Sequence, residues 1–322
     1  MTAALLLAAA ALSAAGAVPL PAVPGAYEAP GTQDGKVIYG EDGRLDIHQA
    51  GEKLRKLAES TVALFYDYHV RIDEQGKTAD LTTASFGEEY TLCPGEPFRE
   101  QRTGAYCSGS LVAPDIVMTA GHCIGGPTAC EGTKFVFGFG IREAGGQTPQ
   151  SVPAADVYGC GGYIGGAQVS DGPDWALVRL DRPVADRAPL RVSRDGMPAK
   201  GAPLFVIGHP VGLPTKVAGG ASVRESGKNG FFTANLDTYG GNSGSAVFNA
   251  VTGEIEGVLV RGETDWEWEN GCRRSNRVPD DGGRGEDVTD VGIPGKLIPD
   301  QGPAASFRRE PGPAFSELLE LL

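Results

Sequence analysis

Between Thr61 and Arg261 the chain is a succession of short apolar runs cut by turn residues, and helical periodicity is nearly absent there. TVALFYDYHV, DIVMTA, KFVFGFG, WALVRL, PLFVIG, FFTANL, SAVFN and EIEGVLV are rich in β-branched and aromatic residues, and glycine, proline or asparagine bounds them. Such runs fit strands of a folded sheet and are too short and too irregularly spaced for packed helices. With PLRV and ASVRE added, about a dozen strands are expected. The 48 glycines and 23 prolines suit a fold of many tight turns. An all-β sandwich or a pair of barrels follows.

The two ends read differently. Residues 1–17 hold an apolar stretch followed by Ala15-Gly16-Ala17, the pattern of a secretory signal peptide, although the usual basic start is missing. Residues 18–58 are rich in proline, glycine and charge and close on HQAGEKLRKLAES, which reads as a propeptide or N-terminal arm. The main domain is assigned to residues 59–265. Residues 266–322 are expected to form a loop-rich extension in which AFSELLELL makes a short terminal helix. Within that extension, Trp266 and Trp268 are expected to pack over the fold rather than line a cleft.

A net charge of −13 argues against a nucleic-acid partner, which requires a basic patch. No stable membrane association is expected. Six cysteines in a chain read as exported favour disulfides, and without a C-x-x-C pair no structural metal is expected.

Three short motifs carry chemistry. In YCSGSLVAPDIVMTAGHC, a strand, a turn at 113–115 and a second strand deliver His122 beside Cys123. A bridge from Cys107 to Cys123 would pin the loop of a histidine that must reach its proton donor. In GPDWALVRLDRPV, Asp174 stands directly before an apolar strand, so its carboxylate would enter the interior and need a hydrogen-bonding partner. A histidine ring N–H would meet that need; Asp171 and Asp181 are rivals that read better as turn residues. In DTYGGNSGSAVF, glycines around Ser243 permit a tight turn that can aim the N–H groups of Gly241 and Ser243 at one point.

Taken in order, His122, Asp174 and Ser243 in these contexts resemble the trypsin/chymotrypsin-like serine peptidases. TAGHC is similar to the family's histidine motif, DWALVRLDRPV to the segment around its aspartate, and GGNSGSAVF to the serine motif of the bacterial glutamyl-endopeptidase branch. The resemblance covers about residues 60–262. It implies two six-stranded antiparallel β-barrels with the active site in the cleft between them. Ser243 would be the nucleophile, His122 the general base and then acid, and Asp174 the group that orients His122. Gly241 and Ser243 N–H would form the oxyanion hole, and no cofactor is implied. Protein or peptide substrates follow from the same resemblance, a monomer is expected, and the signal-peptide pattern points to a secreted, extracellular or periplasmic location. The family's cysteine spacing also implies the Cys107–Cys123 bridge. Of the three pairings open to the other four cysteines, Cys130–Cys160 with Cys93–Cys272 is expected.

Two positions depart from the animal enzymes of that family. Asn242 replaces the aspartate before the serine and, being neutral, cannot take an ion pair with a freed N-terminus. Asp237, six residues before Ser243, stands where trypsin-like members place the acid of the primary pocket, which favours cleavage after Arg or Lys. The alternative is glutamyl-endopeptidase specificity, which needs positive character in the pocket. Leu259 occupies the place of that branch's histidine, leaving Arg261 to supply the charge or to neutralise Asp237. Readings of other classes are a non-catalytic binding protein on the same fold and an esterase of another fold. The first is opposed by the intact set of motifs, and the second by the absence of a strand–elbow–helix context.

Overall fold

The computed structural model describes residues 36–301; the expected signal peptide and terminal helix lie outside them. The described chain is mostly β. One antiparallel sheet orders its strands Val157–Tyr158, Thr133–Phe137, Thr61–Tyr66, Cys107–Ala113, Ile116–Thr119, Asp174–Leu180 and Cys160–Gln168. Its two edge strands follow each other in the chain with Gly159 alone between them, so the sheet must curl until its edges meet. Thr61–Tyr66 alternates between two cores. Val62 and Leu64 join the main cluster with Leu111, Val117 and Leu177, whereas Ala63 and Phe65 face a second cluster with Val136 and Phe139. Burial on both faces explains why this strand reads as a continuous apolar run rather than an alternating one.

The second sheet closes completely. Pro203–Gly208, Ala246–Asn249, Ile255–Arg261, Glu286–Asp290, Phe231–Ala234 and Lys216–Lys228 pair in that order, and the last returns to pair with the first. Leu204, Val206, Val223, Phe232, Val247, Leu259 and Val288 fill its interior. A curled sheet and a closed six-stranded barrel are the architecture of the trypsin-like two-barrel fold expected from the motifs.

Both domain boundaries drawn from the sequence cut through packed structure. At the C-terminal side, Glu286–Asp290 is a barrel strand and not extension. It escaped notice because Glu286 and Asp287 are charged, yet both are buried, leaving Val288 as its one large apolar residue. At the N-terminal side, Ile38–Tyr39 pairs in parallel with Arg277–Val278, and Arg44–Asp46 adds to the barrel strand that begins at Lys216. The helix Glu52–Ala58 then buries Leu54 and Ala58 in the main core. Residues 36–58 thus pack against the domain.

All six cysteines are paired, as Cys107–Cys123, Cys130–Cys160 and Cys93–Cys272. Trp266 packs against Tyr239, Phe86 and Tyr90, whereas Trp268 is exposed with Arg273 over its ring.

Leu54 separates an integral arm from a removable one. Leu54→Ala should cost roughly 2–5 kcal/mol in denaturant unfolding, as buried leucine truncations do. A loosely attached segment would show a change near zero.

Candidate active site

Asp174 opens its strand at the junction of the two barrels. Its backbone N–H donates to Thr289 Oγ1 (3.0 Å), and that hydroxyl donates back to the Asp174 carbonyl (2.9 Å). Thr289 belongs to the closed barrel and Asp174 to the curled sheet, so the two bonds stitch the halves together beside the carboxylate. Both carboxylate oxygens are taken by one residue. The backbone N–H of His122 donates to Oδ1 (3.0 Å), and Nδ1 of its ring donates to Oδ2 (2.7 Å). An ionised carboxylate only accepts, so the proton sits on Nδ1 and Nε2 keeps its lone pair. Burial alone would raise the Asp174 pKa, but the His122 hydrogen bonds and charge, with Arg261 nearby (3.8 Å), hold it below the usual aspartate value.

The loop that carries His122 is held close on two sides. Cys123 is tied to Cys107, and a Cβ at Gly121 would come within 2.1 Å of the Ala167 carbonyl oxygen, so only glycine fits there. The Cys107, His122 and Cys123 side chains cluster, but a disulfide offers no thiolate, so this is not a metal site.

Ser243 sits in a turn built by two glycines. Gly241 has φ +77° and Gly244 φ +88°, and a Cβ on Gly244 would fall 2.1 Å from the Ser108 carbonyl oxygen. Ser108 anchors the turn from the other sheet, its N–H donating to the Ser243 carbonyl (2.9 Å) and its hydroxyl to the Gly241 carbonyl (2.8 Å). Among the described residues, the N–H groups of Gly241 and Ser243 have no internal hydrogen-bond partner. Asn242 is buried, and its side-chain carbonyl accepts from the Ser245 hydroxyl (3.2 Å).

The structure brings His122 and Asp174 into direct contact, but no hydrogen bond joins His122 to Ser243 among the described residues. Ser243 Oγ accepts instead from the ammonium of Lys36 (3.1 Å), whose side chain is fully buried. Nothing in the sequence marked Lys36, which lies in the charged stretch DGKVIYG assigned to the arm.

Asp237 and Arg261 do not meet. Asp237 accepts from the backbone N–H groups of Tyr39 and Gly43 (2.8 Å each), and burial pushes its pKa up to about 7. Arg261 pairs with Asp287 (3.2 Å) and donates to the carbonyls of Val169 and Gly172. Two further acids near Lys36, the half-buried Asp265 and the fully buried Glu286, were not singled out from the sequence. Asp265 accepts from the backbone N–H groups of Lys36 and Gly240, and Glu286 accepts from the hydroxyls of Thr238 (3.3 Å) and Tyr39 (3.5 Å).

An ordered histidine–carboxylate pair and a glycine-built serine turn thus lie where the two β-sheets meet. Residues 107–258 match the model of the trypsin-like peptidase domain family. It is 32% identical over 87 residues to a trypsin-like protease of Streptomyces glaucescens, covering 27% of this chain and 30% of that protein. It is also 32% identical over 114 residues to a trypsin of Sarcophaga bullata, covering 35% of this chain and 42% of that protein. The matches thus span less than half the length of either relative. Among solved structures, a Glu endopeptidase is similar over 80% of this chain and 96% of its own, at 16% identity and a TM-score of 0.45.

Two measurements probe this geometry. Replacing Cys107 and Cys123 together by serine should cost on the order of 3 kcal/mol, the loop-closure value for a bridge of this span, read from denaturant midpoints. The second concerns pH. Asp237 titrates near 7 folded against 3.8 for an ordinary aspartate, so between those values the folded state holds the extra proton. Its contribution to stability therefore falls as pH rises from about 4 to 7. Asp237→Asn should flatten the decline of the thermal midpoint between pH 5 and 8; an unchanged slope would contradict this assignment.

Proposed function

We propose that this chain is a serine endopeptidase that hydrolyses peptide bonds through an acyl-enzyme intermediate. The observation that carries the reading is the double hydrogen bond from His122 to Asp174. It holds the imidazole in the one tautomer that can take a proton at Nε2. In the reaction Ser243 Oγ attacks the scissile carbonyl as its proton passes to His122 Nε2. The Asp174 carboxylate stabilises the resulting imidazolium. The N–H groups of Gly241 and Ser243 receive the charge that develops on the carbonyl oxygen, where one lost donor costs roughly 10²–10³ in rate. His122 then gives its proton to the leaving amine, and water repeats the sequence against the acyl ester to release the acid and restore the serine.

Attack requires Ser243 to leave its hydrogen bond to Lys36, so the arrangement described is a resting one. Asn242 supports activation without an ion pair at that position, because its carbonyl is spent on Ser245. For specificity the reading favours Arg or Lys before the cleaved bond over Glu. Arg261, the cation available to a glutamate-selecting pocket, is engaged by Asp287 and two carbonyls. The substrates are protein or peptide chains, and the enzyme acts as a monomer. Three disulfides suit a secreted, extracellular or periplasmic protein, and no described helix is long and apolar enough to cross a membrane.

A fluorophosphonate reacts only with an activated serine. It should label the wild type at Ser243 and leave Ser243→Ala untouched, and Asp174→Asn should lower kcat by about 10⁴ through loss of the correct histidine tautomer. A binding protein on this fold would take no label and cleave no peptide.

A further inference from the structure

The Lys36 ammonium is an internal occupant of the space behind the serine. Its side chain has no solvent exposure, although burying a lysine charge is unfavourable unless anionic groups surround it. Those groups are present on separate elements. Asp265, on the turn after Arg261, holds the Lys36 backbone N–H and the N–H of Gly240. Glu286, on the barrel strand Glu286–Asp290, is fully buried. It accepts from the hydroxyls of Thr238 and Tyr39 at long range, the Glu263 backbone N–H also bears on it, and the Lys36 charge faces it. The wall opposite is shaped around it: a Cβ at Gly262 would lie 1.9 Å from Glu286 Oε2, so glycine there makes room for the acid. Asp237, by contrast, has each oxygen bound to a backbone N–H of the arm at 2.8 Å and serves to hold the 39–43 turn.

We propose that Glu286, supported by Asp265, is the acid that selects a Lys or Arg side chain before the cleaved bond, and that Lys36 fills this cation site from within the chain. The proposal rests on the peptidase reading above and names the specificity residue of the same site. An acidic cluster alone would not indicate a ligand; here a lysine side chain already lies in it, with its ammonium on the nucleophile. The charges respond accordingly. Burial raises the Glu286 carboxyl well above the ordinary range, with the Lys36 charge opposing and Asp265 reinforcing the shift. Burial likewise brings Asp265 up to about 6, again opposed by Lys36. Because the tethered lysine and an incoming basic side chain compete for one place, the same contact that caps Ser243 also excludes substrate.

The test uses the full chain and p-aminobenzamidine, a fluorescent cation that needs no catalysis to bind. Lys36→Ala should bind it at least tenfold more tightly than wild type, and adding Glu286→Gln should weaken that binding at least tenfold. Equal binding by wild type and Lys36→Ala overturns the proposal, as does a loss that follows Asp237→Asn and spares Glu286→Gln. A second readout leaves Glu286 untouched: Lys36→Ala should cleave tripeptide substrates with Lys or Arg before the bond at least 100-fold better than with Gln. A preference for Glu, or loss of all cleavage on removing Lys36 alone, overturns it. Fluorophosphonate labelling of Ser243 in the same variants reports the peptidase reading separately. Probe binding without labelling would sink that reading and leave the cation site standing, and labelling without probe binding would do the reverse.

Discussion

The Asp174 carboxylate is the point on which the rest of the structure turns. A buried carboxylate is tolerated only when its oxygens are satisfied, and His122 supplies both hydrogen bonds, one from its backbone and one from its ring. The same residue's backbone exchanges two hydrogen bonds with Thr289 across the barrel junction. One position therefore fixes the imidazole, orients the histidine loop and joins the two halves. Its neighbours comply with that demand. Gly121 lets the histidine loop approach Ala167, and the bridge to Cys107 ties that loop to the strand whose Ser108 grips the serine turn. The arrangement of these side chains is a consequence of packing around one anion.

Charge is distributed on the same principle elsewhere. Arg261 bonds Asp287 while lying 3.8 Å from Asp174, so a single guanidinium sits between two buried acids on different sheets. Lys216 is buried against Asp46 (2.7 Å) and Gln101 (2.8 Å), which fastens the arm strand Arg44–Asp46 to the closed barrel. Removing one member of such a pair leaves an uncompensated charge, whereas the pair itself adds little net stability. These pairs position segments; the apolar interiors of the two sheets supply the stability.

The apolar runs revealed most of the two sheets because their strands are buried on one or both faces, and the histidine, aspartate and serine motifs were legible because local chemistry surrounds each of them. What stayed hidden was charged. Glu286–Asp290 completes the barrel, yet two of its five residues are buried acids on opposite faces, and a period-2 apolar pattern cannot appear when acids take buried positions on both. The arm was hidden for a related reason: its anchors are Lys36, Arg44 and Asp46, side chains that composition assigns to the surface. Asp237 was placed by spacing alone. Spacing located it near the site but could not reveal that two backbone N–H groups of the arm already occupy its oxygens.

That difference between two buried acids carries a general point about specificity. A carboxylate that accepts two short backbone N–H bonds is a structural group, because its lone pairs are committed before any ligand arrives. A carboxylate held by long hydroxyl contacts beside a buried lysine, with a glycine making room for it, is set to balance a cation. Asp237 is of the first kind and Glu286 of the second, although both are buried and both are raised in pKa. On the proposal above, distance along the chain from the nucleophile ranks the two acids in the wrong order for recognising a cation. The hydrogen-bond inventory of each oxygen ranks them the other way.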